Sequence, residues 1–373
     1  MAVGILYAEE LKEYDFGSGH PFRGDRYELF MEFLKDRLSE NHDYQIIKAE
    51  PATEGDLRKI CRKDYIDFTK EFYEAAYRDI RNMRVEYIDR FSNYHSGDNL
   101  PLGSPGRIEQ AARMVIGQAK LACQLVKTGR FKKVVSIGGG LHHAKPAYGE
   151  GFCLYNDVAF CVKHLMDEYK LKRILVLDTD AHAGNGTADY FYEDPRVLLI
   201  DLHQDPSTLY PRSGFAHQIG ARAGQGFTVN IPLPVQADYE CYQLVFDSLV
   251  EPLIQEFKPQ IIVRNGGSDP YLDDGLTNLG LSVEGFRKIG DRVRKISRIC
   301  EDRVIDLIAS GYNKKILPYA WLALISGLAG VEPKIEEPDT GPLLFRPGRA
   351  LTEIKKVVKE VKSHLQDYWK CLQ

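Results

Sequence analysis

The stretch Ile174-Leu175-Val176-Leu177-Asp178-Thr179-Asp180-Ala181-His182-Ala183-Gly184-Asn185-Gly186-Thr187 decides the fold. Its first four residues are apolar without alternation, which suits a strand covered on both faces, and such strands belong to parallel sheets. The chain then turns abruptly polar, placing Asp178, Asp180 and His182 just beyond the apolar run. Open α/β sheets bind ligands outside the carboxyl ends of their strands, so these are the positions to read for chemistry.

Working outward, seven more apolar, β-branched segments lie near Gly4–Tyr7, Tyr44–Ala49, Lys133–Ile137, Val197–Leu202, Phe227–Ile231, Gln260–Val263 and Ile305–Ala309. Stretches of helical period separate most of them, among them Arg107–Thr128, Tyr239–Phe257, Val283–Asp302 and Thr352–Trp369. Alternation of this kind predicts βαβ units with right-handed crossovers. Lys63–Arg90 is dense in charge and tyrosine and reads as a solvated helical excursion; Ser92–Gly106 and Gly330–Arg349 read as loops by their Gly, Pro, Asn and Asp content. With no repeat, low-complexity tract or domain boundary, the expectation is a single domain over residues 1–373. Its layers would be α/β/α about an eight-stranded, mostly parallel sheet.

Composition excludes several classes. Apolar residues at 44% and charged residues at 27% are ordinary for a globular chain. A net charge of -4 gives no bulk attraction to nucleic acid or an anionic membrane. Seven scattered cysteines without a C-x-x-C suggest reduced thiols in the cytoplasm. The start MAVGILYAEE does not read as a signal peptide, and no apolar run reaches the length of a membrane span.

The polar residues after the strands form a constellation. On an extended strand end, residues i and i+2 point the same way, so Asp180 and His182 can grip one ion together. Asp269, after the seventh strand, is placed to complete the set. Two carboxylates and one imidazole suit Zn²⁺, or Fe²⁺ or Mn²⁺, and three protein ligands leave an open position, as catalytic sites do. Capping aspartates and a satisfied histidine would explain Asp180 alone better than they explain three such groups at one sheet edge. His142 and His143 follow a glycine triplet after the third strand, which allows close backbone approach and supplies candidates for a general base. Asp178 and Asn185 are candidates to orient the two rings. Tyr312, after the eighth strand, is either a packing residue or a phenol donor to a developing oxyanion.

These residues sit in motifs that resemble the histone deacetylase superfamily, which includes zinc-dependent deacetylases, acetoin-utilisation proteins and acetylpolyamine amidohydrolases. The likeness runs from about His20 to Gly330. Its markers are Gly19-His20-Pro21 with Arg26, Gly139–Ala144, Gly151–Asp157, Asp178–Thr187, Leu202–Pro206, Tyr210-Pro211, Thr228–Pro234 and Gly311–Asn313. The resemblance implies a fold of the arginase/deacetylase type and removal of an acetyl or other short acyl group from an amine such as acyl-lysine. It makes Asp180, His182 and Asp269 the ligands, His143 the base, His142 its electrostatic partner, and Tyr312 the carbonyl polariser. Asp178 would pair with His142, and Asn185 with His143. Phe152 and Tyr210 would wall a substrate tunnel, Gly151 would offer its carbonyl, and Asp98 would hold the substrate backbone. A structural K⁺ or Na⁺ is implied near Asp178, Asp180 and Asp201.

Four departures bear on substrate choice, the first being the run Arg264-Asn265-Gly266-Gly267-Ser268, which is atypical before Asp269. Ser310 and Arg212 each replace a usual glycine, Ser310 being expected near the tunnel mouth, where it either slows closure of Tyr312 or has no effect. Leu276 stands where polyamine-cleaving members can carry an acid, which argues against a cationic polyamine. A ureohydrolase lacks support, because Gly184 stands where a second-metal aspartate would be. A protein that binds an acylated ligand or a partner without turning it over is the rival from another class. Association into oligomers is left open by the sequence.

Overall fold

The computed structural model describes residues 3–338 and 349–373. Eight strands form one sheet: β1 (Val3–Leu6), β2 (Tyr44–Ile47), β3 (Lys133–Ile137), β4 (Ile174–Asp178), β5 (Val197–Gln204), β6 (Thr228–Leu233), β7 (Ile261–Gly266) and β8 (Val304–Ile308). Their order is β2-β1-β3-β8-β7-β4-β5-β6. Every neighbouring pair is parallel, so the mostly parallel sheet expected from the apolar runs is parallel throughout. The physical reason is visible in β4, β5, β7 and β8, where every residue is buried, because helices cover both faces.

Burying whole strands brings polar side chains inside. Arg264 of β7 is 1% exposed and pairs with Asp306 of β8, its lateral neighbour, while its Nη1 donates to Thr179 Oγ1 (3.1 Å). The pair satisfies two charges that would otherwise be stranded in the sheet.

The helices match the predicted periods. Ile108–Lys127 covers β3, Tyr239–Phe257 runs continuously through a π-helical turn at Phe246–Val250, and Val283–Ile296 packs along Leu317–Ala329. Arg349–Leu365 closes the described chain against β6. Of the expected loop Gly330–Arg349, residues 339–348 lie outside the described residues. No described helix is long and apolar enough to cross a membrane, and all seven cysteines are free thiols.

The Lys63–Arg90 expectation needs correcting on one face. Helix Lys63–Asp79 buries Tyr65, Ile66, Phe68, Phe72, Tyr73 and Ala76, which recur at helical spacing. Only the continuation is solvated as predicted, with Val85 71% and Ile88 46% exposed. The buried face also reaches the loops that follow: Tyr65 Oη donates to Leu154 O (2.6 Å) and Tyr73 Oη to Asn99 O (2.8 Å). Those two loops carry Asp98 and Phe152 to the end of the sheet.

Candidate active site

Four adjacent strands, β3, β8, β7 and β4, release their chains at one edge, and the polar residues read from the sequence converge there. At the end of β4, Asp178 Oδ1 accepts the Asp180 amide (3.1 Å) and Asp180 Oδ1 accepts the His182 amide (2.8 Å). This turn aims Asp180 and His182 the same way. Asp269 arrives from β7, its Oδ2 2.9 Å from His182 Nδ1, which lies 3.2 Å from Asp180 Oδ1. One ligand atom from each of the three buried side chains lies within 4.8 Å of the others.

This donor set fits a divalent cation. Burial and the neighbouring charge of Asp180 push Asp269 up to about 8. Against burial, hydrogen bonds to Asp180 and Asp269 push His182 up to about 10. Both directions have one cause: two carboxylates share a dry space and draw positive charge into it. An oxygen, oxygen, nitrogen set that seeks a cation suits zinc and its divalent neighbours.

The histidine pair is held by a second set of bonds. Asp157 accepts the amides of Gly140 (2.8 Å) and Leu141 (2.7 Å), and Asn156 Nδ2 donates to the carbonyls of His142 and Ala144 (both 3.1 Å). His142 Nδ1 donates to Asp178 Oδ2 (2.8 Å), whose carboxylate also accepts Asn265 Nδ2 (2.9 and 3.0 Å). His143 Nδ1 lies 2.7 Å from Asn185 Oδ1, and the two Nε2 atoms are 3.2 Å apart. Burial disfavours charge on His142, yet Asp178 and Asp180 outweigh it and push the ring up to about 9. Burial, then the rings of His142 and His182, hold His143 well below the ordinary histidine value. The pair therefore polarises into one charged ring and one neutral ring whose Nε2 is an acceptor.

Above this floor lies a cavity of about 200 Å³. Phe152 and Tyr210 line it, Tyr210 standing 5.1 Å from His143 ring to ring, and Leu276 sits at the rim, 38% exposed. Gly151 passes under the wall at φ +60, where a Cβ would lie 2.2 Å from His143 Cδ2. Asp98 also lines the cavity, with Oδ2 accepting the Gly151 amide (2.9 Å) and Oδ1 bonded by Ser96. Tyr312 lines the opposite side, 6.0 Å from Phe152 by ring centres, its amide anchored on Asp274 Oδ2 (2.7 Å). Burial, with Asp269 next, holds its phenol far above the usual range, so it stays a donor.

All of the sequence-predicted site residues are thus brought to one place, although two departures read differently. Ser310 lines the cavity with Tyr312, but its Oγ is turned to Asp269 and donates to Oδ1 (2.7 Å). Arg212 is exposed and bonds Ser207 O, away from the cavity lining, at φ 67, which explains why a glycine suits that turn. Asp201 gives Oδ1 to His203 and Oδ2 to the Gly184 amide (both 2.8 Å). Sequence reading missed Phe22 in the wall, Asn265 on Asp178, and the clamp of Asn156 and Asp157. Asn156 and Asp157 lie inside the Gly151–Asp157 motif and Asn265 in the run just before Asp269, and those positions are the signal the sequence offers for them.

A family model, the histone deacetylase domain, matches residues 20–328. A protein named "Probable deacetylase" from Archaeoglobus fulgidus is 32% identical over 380 residues, covering all of both chains. "Acetoin utilization protein AcuC" of Staphylococcus xylosus is 34% identical over 94% of this chain and 86% of its own. Among solved structures, the HDA15 HD domain superposes with a TM-score of 0.82 at 22% identity, covering 100% of this chain and 97% of its own.

Proposed function

The chain belongs to the histone deacetylase family, and we propose that it is a metal-dependent amidohydrolase that removes an acetyl or other short acyl group from an acylated amine such as acyl-lysine. One observation carries this reading: a three-donor cation cluster and a polarised histidine pair share the floor of a narrow, aromatic-walled cavity. Asp180, His182 and Asp269 would hold the metal, zinc first, with ferrous iron or manganese as substitutes. When bound, such a cation supplies Lewis acidity to an acyl carbonyl and to water.

The chain's own groups do the rest. Neutral His143 takes a proton from the attacking water at Nε2 and delivers it to the departing amine. Charged His142 stays beside it as a fixed positive neighbour. Tyr312 donates its phenol proton in a hydrogen bond to the oxyanion. Phe152 and Tyr210 exclude water from an extended alkyl chain, and Asp98 receives the backbone or amine end of the substrate. Apolar Leu276 at the rim favours an acyl-lysine or a neutral acylated amine over a polycation.

A zinc-loaded preparation assayed on a fluorogenic acetyl-lysine peptide and on a small N-acetylated amine tests the reading. Turnover of at least one is expected. Asp180→Ala and His182→Ala should lose stoichiometric metal. Tyr312→Phe should keep it and lose about 10²–10³ in kcat. A metal-loaded protein that binds acylated ligands yet turns over neither substrate would be the binding protein instead.

A further inference from the structure

Asn185 presents His143 with an ambiguous partner. An amide has an acceptor end and a donor end of nearly equal shape, and of the two only the acceptor end is compatible with a His143 proton on Nδ1. With the amide reversed, Nδ2–H would face Nδ1 and the ring proton would move to Nε2, the atom that must be basic. The chain contains something that chooses. Asn185 Nδ2 donates to Glu150 Oε1 at 2.8 Å. A carboxylate only accepts, so a reversed amide would set two oxygens against each other.

Glu150 is itself held in place. Its side chain is 15% exposed, its Oε1 lies 3.2 Å from Lys145 Nζ, and the same ammonium reaches Asp189 at 3.3 Å. The backbone is fixed too, since Glu150 O accepts the Cys153 amide (3.0 Å) and Lys145 N donates to Tyr148 O (2.8 Å). The Lys145 ammonium donates to this carboxylate and leaves it facing Asn185 as an acceptor.

We propose that Glu150 is a positioning residue that locks the Asn185 amide and thereby fixes His143 as the Nδ1–H tautomer, leaving Nε2 to take the proton. An aspartate at 185 would accept in either orientation and need no such partner; an asparagine does. Glu150 and Asn185 therefore work as a unit. The inference rests on His143 being the base of the proposed hydrolysis.

The test uses the zinc-loaded full chain labelled with ¹⁵N-histidine, in which the imidazole nitrogen shifts of His143 report its tautomer without any turnover. The wild type should show Nδ1–H. Glu150→Ala should show a mixture or Nε2–H, with kcat lowered about 10- to 100-fold and KM little changed; Glu150→Gln, which can still accept, should fall between. Asn185→Asp alone sets two carboxylates together and should be poor, while Asn185→Asp combined with Glu150→Ala should recover kcat to within a few fold of wild type. An unchanged tautomer in Glu150→Ala, or a double variant no better than Glu150→Ala, overturns the proposal. Should the wild type hydrolyse nothing, the hydrolase reading fails alone, because the nitrogen shifts still decide whether Glu150 sets the tautomer.

Discussion

Asp269 reaches the cation cluster through Oδ2, and its other oxygen is occupied by the Ser310 hydroxyl at 2.7 Å. Hydrogen bonds from outside a ligand set orient the ligand, and losing one commonly weakens metal binding about 10- to 100-fold. Ser310→Ala should therefore bind zinc more weakly by about tenfold in competition with a chromophoric chelator, with its fold intact. An unchanged dissociation constant would make the hydroxyl a bystander. Residues of this kind mark the limit of what the sequence discloses. Asp180 and His182 were legible because alternation along an extended chain fixes where both point. Ser310, Asn265 and Glu150 act across loops from different strands, and no local period encodes which way such side chains turn.

Among the elements, strands β4, β5, β7 and β8 could be read because burial on both faces leaves no polar alternation to confuse them. Helix Lys63–Asp79 reads as solvated for the converse reason: the charge on its outer face masks the apolar stripe on its inner one. The stripe is integral to the core. Phe72 is fully buried, stacked on Phe68, edge-on to Tyr73 and tilted against Phe91. Phe72→Ala should lower the unfolding free energy by about 3–5 kcal/mol, measured by urea titration. A loss below about 1 kcal/mol would return this helix to the surface role first assigned to it.

Over the whole molecule, stability should carry a pH signature from Asp274, the anchor of the Tyr312 amide. Burial pushes its carboxyl from 3.8 up to about 6. Between those values the folded protein holds a proton that the unfolded chain has released, so stability is greatest below the lower value and falls as pH rises through the window. The loss from this one group is about 3 kcal/mol. Asp274→Asn cannot titrate, so its stability relative to wild type should improve by about that amount between pH 4 and pH 7. A relative stability that stays flat over that range would show that the carboxyl is solvated.

The strand order has a consequence for how the molecule is made. Strands β1, β2 and β3 form one block and β4, β5 and β6 another, and they touch only through β8 and β7, which are inserted between them. Those two strands are synthesised last, so a nascent chain holds two unjoined half-sheets, each with a raw edge, until residue 308 has emerged. The late pair acts as a keystone. No ribosome-bound fragment ending before it can assemble the floor of the cavity, and a chain that stalls there presents two sticky margins to its neighbours.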